Sequence, residues 1–127
     1  MQRYTHDEIW FEIPREIESR LARLLPAQIK YVCNDAEATA VPLRKLTSPK
    51  RDSGVKWFDV ERMSCILDGL ESGSALPPIE LHRHPNTKRL LVRDGFHRYY
   101  LSTAAGLSDI PCREYPYFDI RETQLPN

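Results

Sequence analysis

The chain has no surplus of either charge. Its 18 Lys and Arg are matched by 18 Asp and Glu over 127 residues. No global field therefore draws it to nucleic acid, although a local basic patch could still bind it. No run of apolar residues reaches the length that spans a bilayer, so no membrane association is expected. Met1 to Asp7 has no apolar signal core. The three cysteines, Cys33, Cys65 and Cys112, are odd in number and lack paired short spacing. That argues against a disulfide framework and against a zinc site. They read as small buried residues, and the setting reads as reduced and cytoplasmic. What is present is the balance of one soluble globular domain, 41% apolar and 28% charged, at a length suited to a single core.

The ten prolines fall mostly between candidate elements. Ile9 to Ile13 is a short apolar and aromatic run. Pro14 suits a helix start, and Ile17, Leu21, Leu24 and Leu25 follow at helical spacing until Pro26. Residues 38–46 read as a strand running out into a polar loop over 47–56, which carries Lys50, Arg51 and Lys56. Asp59 is a good N-cap for a second helix. Val60, Met63, Leu67 and Leu70 give that helix its apolar stripe, and Gly73 stops it. Ile79 to Arg83 and Arg89 to Arg93 read as two strands of a hairpin around Pro85-Asn86. Phe96 to Ala105 reads as a helix closed by Gly106, and Ile110 to Tyr115 as a last strand. No repeat or low-complexity tract interrupts this order.

The chemistry concentrates in Asp94-Gly95-Phe96-His97-Arg98. A strand that ends at Gly95 and turns at once into a helix leaves backbone N–H groups free, and the helix dipole adds positive potential there. That is an anion site before any side chain is counted. Gly95 permits the sharp bend and a close approach. Arg98 can clamp a phosphate with two parallel hydrogen bonds. His97 can donate to it or carry a proton near neutral pH. The plain alternative is that Asp94 caps the helix and pairs with Arg98, leaving His97 on the surface. Lys45, Lys50, Arg51 and Lys56 form a basic stretch that either contacts phosphates or is simply solvated. Trp57-Phe58 could stack a base or plug a core edge. His82 and His84 lie two apart on a strand without a third ligand, so they read as surface histidines. At least one of Tyr99 and Tyr100 is expected in the core, while the other could line the site.

The segments VPLRKL (41–46), LPPIEL (76–81) and LLVRDGFHRYYLSTAAGLSDIPCREY (90–115) give this order a resemblance to the ParB/sulfiredoxin superfamily, over about Val41 to Tyr115. The resemblance implies an α+β fold, a small mixed sheet with packed helices, with 38–127 as the domain and 1–37 as an N-terminal extension bearing one helix. It implies that the turn binds nucleotide phosphates through Gly95, Phe96, His97 and Arg98, with Lys45, Lys50 and Arg51 approaching from the basic loop. His97 and Asp94 would be the catalytic candidates.

Departures narrow the activity. Sulfiredoxins carry a catalytic Cys where Phe96 stands, so that thiol chemistry is not expected. Chromosome-partitioning ParB proteins continue into DNA-binding and dimerisation parts for which this chain leaves no room. Small-molecule kinases of the superfamily carry a similar turn. They need a carboxylate base, for which Asp52 and Asp59 are candidates, and Mg2+ to shield the phosphates of a nucleoside di- or triphosphate. Glu71 and Glu80 read as surface residues. A metal-dependent nuclease is poorly supported. The reading is therefore a domain that binds a nucleotide or phosphorylated small molecule, with hydrolysis or phosphotransfer open and homodimerisation open. The alternatives are a non-catalytic nucleic-acid-binding module and a protein-interaction module on the same fold.

Overall fold

A computed structural model describes residues 3–6, 9–47 and 58–117. Lys50, Arg51, Asp52, Lys56 and Trp57 lie outside the described residues. The chain opens with an antiparallel pair, β1 (Arg3–His6) and β2 (Ile9–Glu12), followed by helix α1 (Arg15–Ala22) and a 3-10 turn (Pro26–Gln28). β3 (Val32–Cys33) precedes β4 (Thr39–Pro42), a 3-10 turn (Leu43–Lys45) and β5 (Leu46–Thr47). After α2 (Val60–Ser72) come β6 (Ala75–Leu76), β7 (Ile79–Arg83), β8 (Leu90–Asp94), α3 (Phe96–Ala104) and β9 (Asp109–Tyr115). No helix among the described residues is long and apolar enough to cross a membrane.

Five strands form one mixed sheet in the order β4-β9-β7-β8-β5. β7 and β8 make the expected hairpin. His84 holds its turn, with Nδ1 accepting from the backbone N–H of Asn86 and of Thr87. β9 returns parallel to β7, so β8 and α3 form the crossover that parallel neighbours require. β3 and β6 pair separately as a two-residue parallel ladder. The fold is α+β with a small mixed sheet and packed helices, as the resemblance implied.

The sheet buries alternate residues, Ile79 and Leu81 on β7 and Ile110 and Cys112 on β9, the period that a half-covered strand shows. Met63, Leu67 and Leu70 of α2 and Tyr99, Tyr100 and Leu101 of α3 complete that core. Phe11, Ile13, Ile17 and Ile29 from the N-terminal segment are buried in the same cluster. Arg20 ties α1 to α2, donating to Asp68 at 2.6 Å, Glu71 at 3.2 Å and the Ser64 hydroxyl at 3.0 Å. Helix α2 starts and stops where its caps dictate. Asp59 accepts from the Arg62 N–H at 3.0 Å, and Gly73 takes the left-handed φ of 74°.

The cysteines differ from expectation. Cys112 is buried, but Cys33 is half-buried and Cys65 is exposed, because Cys65 lies off the apolar stripe of α2. Both Tyr99 and Tyr100 are buried, in keeping with the expectation that at least one would be.

Candidate anion-binding cleft

β8 delivers the chain to Gly95, whose φ of 88° makes it the N-cap of α3. No side chain caps that helix, so its first N–H groups keep their capacity for an incoming acceptor. The cap expected from Asp94 is absent. Asp94 instead stands across the hairpin from Glu80 of β7, its register partner. A bulge at this point sets Arg93 and Asp94 together opposite Glu80. Glu80 is therefore a half-buried partner of the site rather than a surface residue. Its burial, reinforced by the neighbouring Asp94 carboxyl, pushes its own carboxyl above the ordinary range, against the pull of Arg93 and Arg98.

Arg98 folds back over the turn. A Cβ at Gly95 would lie 2.8 Å from Arg98 Nη2 and 3.1 Å from Ile79 Cδ1, so glycine is needed for close approach as well as for φ. The guanidinium feels the charges of Glu80 and Tyr31, but among the described residues it makes no hydrogen bond and no ion pair. Tyr31 itself donates to the Pro77 carbonyl.

His97 sits between two helix starts. Its Nε2 accepts the Asp59 backbone N–H at 3.1 Å, which leaves Nδ1 to carry the proton of the neutral ring. Burial, and then the neighbouring Arg62 guanidinium, lower its pKa from the ordinary 6.5, with Asp59 opposing. Phe58 packs edge-on against the ring at 5.4 Å and against Tyr100 at 5.3 Å. It serves both as a core plug and as a wall of the site.

These residues line a cleft of about 530 Å³ between the N-terminal ends of α2 and α3. Asp94, Gly95, Phe96, His97 and Arg98 all border it, so the whole five-residue turn faces one cavity. Phe58, Ile66, Leu76 and Pro77 supply an apolar side. Arg62 supplies a second cation that sequence reasoning missed. Its signal was available, since Arg62 follows the Asp59 cap by three residues just as Arg98 follows the Gly95 cap.

Lys45 is not among the lining residues. It precedes β5, which runs parallel to β8 from the Leu46–Leu90 pair. That places it beside the start of β8, about 13 Å from Asp94 at ~3.3 Å per strand residue. Asp59 caps α2 through Oδ1, donates its N–H to His97, and is not among the lining residues.

No protein-family model matches the chain, nor does any curated protein. Solved structures do. Sulfiredoxin from Arabidopsis thaliana superposes with a TM-score of 0.51 at 21% identity, over 68% of this chain and 90% of that one. The fold is ParB/sulfiredoxin-like. The C-terminally truncated chromosome-partitioning protein ParB from Caulobacter crescentus, complexed with CTP-gamma-S, gives 0.50 at 19% identity over 72% of this chain. A free serine kinase in complex with AMP gives 0.50 at 20% identity over 72% of this chain. The match spans 56% of that ParB chain and 35% of the kinase.

Proposed function

We propose that the cleft binds a nucleotide or another phosphate-bearing ligand, with the phosphate at Gly95 to Arg98 and the body of the ligand against Phe58, Ile66 and Pro77. The observation that carries this is Arg98, a half-buried guanidinium with no hydrogen bond or ion pair among the described residues, lying over an uncapped helix N-terminus. A guanidinium in such a place has donors to offer, and an anion with two acceptor oxygens could take two of them in parallel. Arg62 adds donors on the facing lip, and the Nδ1–H of His97 adds one on the same lip as Arg98. The presence of nucleotide-type ligands in two proteins of like fold supports this choice of ligand, by analogy of fold. Among the described residues no group of three or more His, Cys, Asp and Glu gathers to hold a metal ion. Mg2+ accompanying the ligand would therefore be held chiefly by phosphate oxygens and water.

A second reading, phosphoryl transfer or hydrolysis, is favoured by the position of Asp94. Its carboxylate borders the same cleft, where it would accept the proton of an attacking hydroxyl or water. His97 is less suited to that role, because its Nε2 already accepts from Asp59. The site of Lys45 at the far end of β8 weakens the nucleic-acid alternative.

Titration calorimetry with ADP, ATP, CTP and GTP, with and without Mg2+, tests the binding reading. Arg98→Ala is expected to weaken the binding ligand at least about tenfold, the loss of one charge-assisted contact, without loss of fold. Unchanged affinity in that variant would sink it. A ligand at a hundred times its Kd should also raise stability by about 2.7 kcal/mol, readable as a higher melting temperature.

A further inference from the structure

Glu80 and Asp94 are acidic neighbours, and the charge of Asp94 works against the ionisation of Glu80. Two carboxylates held side by side repel, and a proton on one of them removes that repulsion. The sheet imposes the arrangement. Glu80 and Asp94 are register partners across β7 and β8, beside a bulge. Asp94 belongs to the lining of the cleft and directly precedes the Gly95 cap.

The cations around the pair are unequally engaged. Arg93 on β8 lies over the Tyr115 ring at 5.4 Å. Arg113 on β9 is in register with Glu80, but it is held by Asp35 and Glu37, each at 2.8 Å. Arg98 on α3 is the cation that acts on Glu80 while making no ion pair among the described residues. With one proton on the pair, a single negative charge stands beside one uncommitted guanidinium. Without that proton, the pair carries two negative charges, and one of them, on Asp94, borders the place where an anion would sit.

We propose that the Glu80–Asp94 pair is a proton-linked gate on the cleft, such that a proton on the pair and an anion at Gly95 to Arg98 bind together. The inference rests on the reading of the cleft as an anion site. Its thermodynamics are those of linkage. An anion beside Arg98 makes the second ionisation of the pair harder, and the proton in turn tightens the anion by the same factor. Affinity therefore falls as pH rises above the ordinary carboxyl range. The limiting slope for one proton is about tenfold per pH unit.

Inorganic sulfate is the probe, because its charge does not change near neutral pH. The full chain is titrated calorimetrically with sulfate from about pH 5 to about pH 8 at constant ionic strength. The expected result is a Kd that weakens with pH, with net proton uptake on binding when buffers of different ionisation enthalpy are compared. Glu80→Gln, which keeps a hydrogen-bonding group but cannot ionise, is expected to hold the tight affinity at the alkaline end and lose the slope. A purely structural Glu80 would not give that gain. Asp94→Asn tests the same point if Glu80→Gln fails to fold. The buffer comparison on the unmodified chain decides it if both fail, and absence of proton uptake there overturns the proposal. His97→Gln should retain the slope. A slope lost only in His97→Gln assigns the proton to the imidazole and overturns the proposal. Binding of constant affinity across pH overturns the gate and leaves the anion site intact. No binding of sulfate or of pyrophosphate at any pH overturns the anion site itself, and the gate with it.

Discussion

Gly95 carries two demands at once. Its φ of 88° is open to glycine and strained for other residues, and a Cβ there would meet Arg98 Nη2 at 2.8 Å. Gly95→Ala is expected to cost about 1–2 kcal/mol from the left-handed backbone and, separately, to push the guanidinium off the turn. Urea denaturation should register the first effect and calorimetry with the binding nucleotide the second. A variant that binds normally would mean that Arg98 is not held over the turn. At this scale the sequence was informative where one residue type has one use. The Asp94-Gly95-Phe96-His97-Arg98 turn could be read because glycine, histidine and arginine at a strand–helix junction make an anion site with little help. Glu80 could not, because its partner is chosen by a bulge, and a bulge shifts register without leaving a periodic trace. Nor could the fate of His97, whose Nε2 is taken by a backbone N–H 38 residues earlier in the chain.

Elements were legible in proportion to their length. α2 announced itself through Asp59, a four-residue apolar stripe and Gly73, and it runs between those caps. The β7–β8 hairpin was legible from two alternating runs and a turn. β3, β5 and β6 are two residues each, too short for any alternation to be counted. β2 was visible only as an apolar run and its partner β1 not at all. The caps also bear on the site. Asp59 starts α2 and presents its N–H to His97, so the two lips of the cleft meet at one residue. Asp59→Ala is expected to cost about 1 kcal/mol of stability and to loosen the α2 lip. The measurements are a thermal melt and the affinity of the nucleotide, which should fall even though Asp59 itself does not line the cleft.

For the molecule as a whole, the N-terminal segment contributes to the common core. Phe11 contacts Tyr100 at 4.8 Å between ring centroids, and Phe11, Ile13, Ile17 and Ile29 are all buried. Each such side chain contributes about 1.5–3 kcal/mol when fully buried, while a domain of this size is stable by only about 5–15 kcal/mol. Removal of residues 1–37 is therefore expected to leave the rest without a cooperative fold, as circular dichroism and a thermal melt would show. A truncated chain with a sharp transition would mean that residues 38–127 form a self-sufficient unit. The sheet order itself was beyond sequence reasoning, since nothing local states that β9 slots between β4 and β7.

The two lips of the cleft differ mechanically. The lip that begins at Gly95 is carried by β8, which is hydrogen-bonded on one side to β7 and on the other to β5. Backbone anchored in this way opens only when the sheet does, so the paired amides of β8 belong with the slowest to exchange their hydrogens. The opposite lip, Phe58 to Arg62, hangs on helix packing and on one contact to an imidazole. An incoming ligand would thus meet an anvil on one side and an adjustable jaw on the other. Differences in the bulk of the ligand would be absorbed by the jaw, while the phosphate position stayed the same.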